Sequence, residues 1–154
     1  MTRRLLAALG LLLATTAPLR AQVPVFDIRL GAHSAMPTGD FAESYDSGFG
    51  AYGRVGVPLG LVKLMGSATW NRFAPTAAGA DDLDFFTLQA GPHFFLVPMV
   101  DLGIEAAYFS DSEKFGLSPN VSVGFLKFEL TASYNTTLND PATNWLTIGA
   151  GFRF

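Results

Sequence analysis

The chain has 154 residues, 49% of them hydrophobic, and it contains no cysteine, which excludes both a disulfide framework and a lipoprotein anchor. Acidic residues outnumber basic residues by 13 to 10 and no basic patch is present, which argues against a nucleic-acid partner. Beyond the amino-terminal segment, no apolar run approaches the length of about 18 residues that predicts a membrane-spanning helix. An apolar chain of this kind can still reside in a bilayer if its strands close into a barrel.

The first 21 residues have the pattern of a secretory signal peptide. Arg3 and Arg4 give it a positive start, an apolar run follows, and we expect cleavage after Ala21. The predicted mature chain, residues 22–154, then carries seven basic and 13 acidic residues and a net charge of −6. Its length predicts a single domain.

Eight segments of the mature chain alternate apolar residues with polar or small ones, which is the period of a β-strand. In the first segment, Phe26, Ile28 and Leu30 share one face, whereas Asp27 and Arg29 share the other. Each segment is long enough to cross a bilayer when tilted. The predicted strands are residues 25–34, 49–57, 62–73, 84–95, 99–109, 115–124, 127–135 and 146–154.

The connections between these segments alternate between long and short. The long connections, such as residues 36–48 and 74–83, are rich in turn-forming or acidic residues, whereas residues 58–61 form a short turn. This alternation is typical of an up-and-down membrane barrel with short periplasmic turns and longer outer loops. The long connections carry nine acidic residues, namely Asp40, Glu43, Asp46, Asp81, Asp82, Asp84, Asp111, Glu113 and Asp140.

The requirement that one face stays inward across each hairpin predicts the parity of the turns. It predicts a four-residue turn at residues 58–61, an odd-length turn around Val97 and a two-residue turn at residues 125–126. Pro92 and Pro119 lie inside predicted strands, where a proline cannot donate a ladder hydrogen bond. We therefore expect a bulge or a weak ladder at each proline.

The available volume indicates which face of the strands points inward. Eight strands enclose a space that side chains just fill. The charged face carries most of the strand glycines, such as Gly31 and Gly103, whereas the opposite face carries phenylalanines such as Phe86 and Phe128. Small residues suit a narrow interior and large apolar ones suit lipid, so the sequence predicts a membrane barrel. A secreted soluble carrier would have the opposite facing.

The inward face is expected to carry five basic and four acidic residues. Buried charges that lack a partner cost several kcal/mol each, so we expect a salt-bridged plug in the lumen. In particular, Arg29, Arg54, Lys127 and Arg153 should each lie within reach of an inward carboxylate. The predicted charge network consists of Asp27, Arg29, Arg54, Lys63, Asp101, Glu105, Lys127, Glu129 and Arg153.

The sequence carries no phosphate-binding loop, paired-histidine metal motif or nucleophile elbow. His33 and His93 are predicted to face inward as lumen residues hydrogen-bonded to a carboxylate. Ser34 adjoins His33 but points to the other face, so no catalytic triad follows. We expect neither catalysis nor a bound cofactor or metal. Tyr45, Trp70, Tyr108, Tyr134 and Trp145 lie near loop ends and are predicted to form mainly an interfacial girdle.

The final strand resembles the terminal signal strand of bacterial outer-membrane β-barrels. Thr147, Gly149, Phe152 and Phe154 match its pattern of a polar residue, a glycine and two closing aromatic or aliphatic residues. The resemblance implies that the insertion machinery of the outer membrane recognises this strand, which then pairs with the first strand. The mature chain as a whole resembles the small eight-stranded outer-membrane barrel proteins.

The resulting prediction is an all-β, eight-stranded antiparallel up-and-down transmembrane barrel in the bacterial outer membrane. We expect a monomer with a plugged polar lumen, outer-membrane lipids as its surroundings and a structural or surface-interaction role. A narrow channel for small solutes or ions and a lipid-modifying enzyme remain as alternatives at this point.

Overall fold

The computed structural model describes residues 26–97, 99–138 and 141–154, and the predicted signal peptide lies outside them. These residues form a closed antiparallel barrel in which each strand pairs with its neighbours in sequence. A one-turn helix, α1 (Phe41–Ser44), lies between the first two strands. The strands are β1 (Asp27–Thr38), β2 (Tyr45–Leu59), β3 (Val62–Pro75), β4 (Leu83–Val97), β5 (Val100–Phe109), β6 (Lys114–Phe125), β7 (Phe128–Thr137) and β8 (Asn144–Arg153). No helix in the described part of the chain is long and apolar enough to span a membrane.

Burial follows the period-two pattern of the sequence along each strand. In β4, Phe85 and Thr87 are buried inside the barrel, whereas Phe86 and Leu88 are exposed on its outer surface. The strand prediction and the predicted inward facing of the polar side chains are therefore confirmed for most of the barrel. The exceptions lie at the strand ends.

Closure of the barrel follows from the pairing of β8 with β1. Their antiparallel register runs from Arg29 opposite Arg153 to Thr38 opposite Asn144. The backbone N–H of Phe154 extends the ladder by donating to the carbonyl of Ile28 over 2.8 Å. The predicted pairing of the last strand with the first is confirmed, and it removes the free edge that an open sheet would expose.

Two of the predicted turns are displaced or shortened in the structure. The β2–β3 turn consists of residues 60–61 rather than 58–61, because Leu59 still pairs with Val62. The β6–β7 turn consists of residues 126–127 rather than 125–126, because Phe125 pairs with Phe128. Both turns keep an even number of residues, as predicted, so the same residues of each paired strand face inward.

The remaining hairpin contains an irregularity. The odd parity predicted for β4 and β5 holds up to the pair Phe95–Asp101, after which the register shifts before Val97 pairs with Val100. The three short turns lie at one end of the barrel, together with the start of β1 and the end of β8. We call it the turn end.

The opposite end, which we call the loop end, is more regular than predicted. β1 continues to Thr38 and β2 begins at Tyr45, so the predicted loop at residues 36–48 shrinks to residues 39–44. All of α1 lies in this connection, and its Phe41 is buried. The turn-like composition of the segment therefore concealed two strand extensions.

The prolines interrupt the hydrogen-bonded ladder without shifting its register. The β4–β5 pairing passes from Ala90–Ala106 directly to His93–Gly103, skipping Pro92. The β6–β7 pairing likewise omits Pro119, although that residue still pairs with β5. The predicted weak ladder is confirmed at both sites.

Candidate functional site

The barrel interior is filled by three successive layers of side chains. Charged residues occupy the turn end, neutral polar residues and Arg54 occupy the middle, and aromatic residues close the loop end. The layers follow the inward positions of all eight strands, so each depth in the barrel has its own chemistry.

Arg29 lies at the centre of the charged layer. Its side chain is fully buried, and its Nη2 lies 2.7 Å from Asp27 Oδ2 and 2.8 Å from Asp101 Oδ2. Its Nη1 contacts Glu129. The guanidinium fork thereby binds three carboxylates from β1, β5 and β7, which ties distant walls of the barrel together.

Lys63 and Arg153 complete the contacts of the same carboxylates. Lys63 Nζ lies 2.8 Å from Asp27 Oδ2 and 3.1 Å from Asp101 Oδ2. Arg153 Nη2 lies 3.2 Å from Asp27 Oδ2, next to the end of the chain. Asp27 therefore accepts hydrogen bonds from three cations.

His93 bridges Asp101 to one further carboxylate, that of Glu105. Its Nδ1 lies 3.0 Å from Asp101 Oδ1, and its Nε2 lies 2.7 Å from Glu105 Oε1. Because a carboxylate oxygen accepts and does not donate, both contacts are hydrogen bonds when both ring nitrogens carry a proton, which makes the ring an imidazolium. We call this layer the ion-pair cluster, and it contains Asp27, Arg29, Lys63, His93, Asp101, Glu105, Glu129 and Arg153.

With His93 charged, the ion-pair cluster has four cations and four anions. Neutral groups take up remaining acceptor positions, since Ser67 donates to Glu105 and Tyr52 donates to Glu129. A buried cluster that is balanced and hydrogen-bonded in this way avoids the cost of isolated charges.

Two predicted members of the charge network lie elsewhere. Lys127 is exposed in the β6–β7 turn, because that turn is displaced by one residue and removes Lys127 from the inward face. Arg54 does point inward, but its Nη1 contacts the hydroxyls of Ser122 and Thr131 and not a carboxylate. The prediction of a carboxylate partner is wrong for both residues.

The two histidines also have different surroundings. His93 bonds carboxylates as predicted, whereas His33 Nε2 lies 3.0 Å from the amide oxygen of Asn71. The prediction of a carboxylate partner is therefore wrong for His33, which lies in the neutral middle layer. No set of three or more His, Asp or Glu side chains among the described residues is arranged to hold a metal ion.

Inward glycines let these large side chains fit between the walls. A Cβ added to Gly103 would lie against the His93 ring, 2.7 Å from its Cδ2. By contrast, a Cβ added to the outward-facing Gly66 would meet only the carbonyl oxygen of Gln89, 4.0 Å away. The absence of a side chain at Gly103 is therefore a packing requirement of the ion-pair cluster.

The difference between Gly103 and Gly66 in the space available for a Cβ gives a direct test of this packing requirement. Gly103→Ala is expected to lower the free energy of unfolding by about 1–3 kcal/mol, because the new methyl group overpacks the lumen and displaces the His93 ring. Urea unfolding of the detergent-refolded protein measures the loss. Gly66→Ala is the matched control and should leave the midpoint unchanged or slightly higher. Equal losses in both variants would contradict the proposed packing role.

The aromatic layer at the loop end was not predicted. We call it the aromatic cap, and Trp145 lies at its centre, with ring-centroid distances of 5.2 Å to Phe109 and 5.5 Å to Phe85. Phe41 of α1 packs edge-on against Phe73 and extends the cap over the mouth. The buried members are Ala35, Phe41, Phe73, Phe85, Ala107, Phe109 and Trp145.

The placement of Trp145 corrects its assignment to the interfacial girdle. It is buried in the lumen because it shares the inward face of β8 with Thr147. The same alternation places Phe85 with Thr87, so the sequence did contain the signal. It was obscured by the expectation that phenylalanines face lipid.

The middle layer is a network of hydroxyl and amide groups around a small cavity. Gln89 donates to Asn135, Asn71 donates to Thr87, and Ser133 bonds Thr147. The cavity has a volume of about 20 Å³, close to that of one water molecule. Its lining is His33, Tyr52, Arg54, Thr69, Asn71, Thr87, Gln89, Thr131, Ser133, Asn135, Trp145 and Thr147.

The residues predicted to form the insertion signal lie along β8. Thr147 and Gly149 face the lumen, whereas Phe152 and Phe154 are exposed on the outer surface near the turn end. Phe152 packs against Phe128 of β7, with ring centroids 5.0 Å apart. The strand is thus part of the wall of the barrel as well as its last segment.

Comparison with solved structures finds other small barrels. The attachment invasion locus protein Ail of Yersinia pestis aligns with a TM-score of 0.56 at 19% identity, over 84% of this chain and 97% of that chain. Neisserial surface protein A aligns with a TM-score of 0.53 at 16% identity, over 83% and 95%. A de novo designed transmembrane β-barrel aligns with a TM-score of 0.55 at 13% identity, over 83% and 95%.

No protein-family model and no curated protein matches the sequence. The likeness to the solved structures therefore concerns the fold. Together with the closed pairing of β1 to β8, it identifies the chain as an eight-stranded antiparallel barrel with the fold of the small outer-membrane β-barrels.

Proposed function

We propose that the protein is an integral barrel of the bacterial outer membrane with a plugged polar lumen and a structural or surface-interaction role. The observation that supports this proposal best is the distribution of charge and apolar surface. Arg29, Lys63, Glu105 and Glu129 are buried inside the barrel. Large apolar side chains are exposed outside it, among them Leu30, Phe86, Leu88, Phe94, Leu102, Ile104, Leu130 and Ile148.

An apolar outer surface of this extent suits hydrocarbon and not water. The strands have 10 to 15 residues, which is enough to cross a bilayer at the tilt of a small barrel. Outer-membrane lipids are therefore the proposed surroundings of the outer face. We further propose a monomer that reaches the membrane after cleavage of the signal peptide and assembles through recognition of β8 by the insertion machinery.

The filled lumen argues for a role other than transport. The ion-pair cluster fills the turn end, and the aromatic cap fills the loop end. The cavity between them is about the size of one water molecule. A structural or surface-interaction role requires no path through the barrel, and the exposed loops remain available to partners.

The charge of the loop end suggests the chemistry of such partners. Eight acidic residues in the described part of this end exceed its two basic residues, Arg72 and Lys114. Ail has been solved in complex with the heparin analogue sucrose octasulfate. The acidic loops of this chain would repel such a polyanion, so we propose that its surface partners are cationic.

The proposal is tested by expressing the full chain in a Gram-negative host and fractionating the cells. We expect the protein in the outer-membrane fraction, soluble only with detergent, and with faster gel migration when unheated than when heated. Purified barrels in planar bilayers should show no steady conductance. Solubility without detergent would support a carrier instead, and discrete conductance steps would support a narrow channel. A mass shift in lipid A upon expression would indicate an enzyme.

A further inference from the structure

The buried guanidinium of Arg54 has no counter-charge within reach among the residues that the structure describes. Arg54 is 5% exposed, and it forms no salt bridge with any described carboxylate. Twelve of the 13 acidic residues of the chain belong to the described part, so almost every acid has been placed. An isolated buried charge is strongly unfavourable, and this one requires compensation.

The neighbouring strands add further positive charge. Arg54 pairs across β1–β2 with Arg29, which in turn pairs across β1–β8 with Arg153. The carboxylates of the ion-pair cluster engage Arg29 and Arg153 but not Arg54. With His93 as an imidazolium that cluster is balanced by itself, and Arg54 is then the excess positive charge among the described residues of the lumen.

The side chain of Arg54 extends over the ring of Tyr52 and lines the cavity of the middle layer. Its Nη1 lies 3.3 Å from Thr131 Oγ1 and 3.5 Å from Ser122 Oγ. Its Nε is buried and has no hydrogen-bond partner in the described part of the chain. A donor with a full positive charge and an N–H without a partner therefore borders a small polar space inside the barrel.

The rest of the cavity lining suits a small anion. It contains hydroxyl, amide and ring nitrogen groups but no acidic residue. The Thr87 hydroxyl accepts from Asn71 and can rotate to donate into the cavity. Ser133 and Thr147 bond each other, so one hydroxyl of that pair can donate as well. The volume of about 20 Å³ is enough for one water molecule or one monatomic ion and is too small for sulfate or phosphate.

We propose that the cavity beside Arg54 binds one small monovalent anion of about the size of chloride. The anion accepts a hydrogen bond from Nε of Arg54 and from lining hydroxyls, and it neutralises the lumen. Because it binds the folded barrel and not the unfolded chain, it stabilises the barrel according to its concentration.

The test measures thermal unfolding of the detergent-refolded protein in sodium chloride and in sodium gluconate at equal ionic strength. We expect the Tm to rise with the logarithm of the chloride concentration, whereas gluconate is too large to enter. Arg54→Gln should lose the difference between the two salts. Lys127→Gln removes an exposed charge and should keep it. Equal Tm values in both salts, or a chloride dependence that survives Arg54→Gln, would overturn the proposal.

A second measurement covers the case in which Arg54→Gln does not fold. Crystals of the wild-type protein grown in sodium bromide should show an anomalous scattering peak within contact distance of the Arg54 guanidinium. Electron density that fits only water there, with no anomalous peak, would overturn the proposal independently of any variant.

Discussion

Replacement of Arg29 by methionine is expected to lower the free energy of unfolding by about 3–5 kcal/mol, or to prevent refolding altogether. The variant keeps most of the side-chain volume but leaves Asp27, Asp101 and Glu129 without their shared partner. Uncompensated buried charge is costly, and these three carboxylates would also repel one another. Urea unfolding of the detergent-refolded protein, followed by tryptophan fluorescence, measures the loss.

The matched control is Arg72→Met. Arg72 is exposed near the loop end and pairs with Asp82 and Asp84, so this variant also removes an arginine from two carboxylates. Water screens the exposed carboxylates, and the urea midpoint should change little. Losses of the same size in both variants would show that burial does not determine how much the ion-pair cluster contributes to the free energy of unfolding. Arg29→Lys tests the fork geometry, since one ammonium cannot reproduce the contacts of both terminal nitrogens.

Deletion of Phe154 is expected to abolish outer-membrane assembly and leave unfolded, protease-sensitive protein in the periplasm. The structure refines the reason for this effect. The Phe154 side chain is 72% exposed, and its backbone N–H contributes one bond to Ile28. The intrinsic loss of stability should thus be small, about that of one hydrogen bond at 0.5–1.5 kcal/mol. The defect should arise from lost recognition of β8 during insertion.

Two measurements separate recognition from stability. The deletion variant should refold into detergent micelles nearly as well as the wild type, although it fails to assemble in cells. Phe125→Ala removes another exposed phenylalanine near the turn end and should reach normal levels in the membrane. Normal assembly of the deletion variant would refute the insertion-signal proposal. Poor refolding in detergent would assign its effect to stability.

The strand order could be predicted from the sequence because it depends on local patterns. The closure of the barrel could be predicted because hydrocarbon does not tolerate an open sheet edge. Period-two alternation is a property of neighbouring residues, and it placed Arg29, Lys63 and Glu105 on one face before any contact was known. The prolines were also informative, since a missing N–H has the same local effect in any sheet. The parity of each turn followed from the same alternation.

The contents of each layer of the lumen depended on the tertiary structure. Alternation identifies a face but not the depth at which a residue lies, and depth decides which side chains from other strands surround it. The inward face therefore changes from ion pairs around Arg29 to aromatic contacts around Trp145.

Two errors show the limit of the sequence pattern most clearly. A displacement of one residue in the β6–β7 turn moved Lys127 out of the lumen. Arg54 and Arg29 have the same residue type and the same facing, yet only Arg29 contacts carboxylates. The sequence by itself determined the strands, their faces and the closure of the barrel. The partner of each buried charge was decided only in three dimensions, because ion pairs require groups from distant strands to meet at one depth.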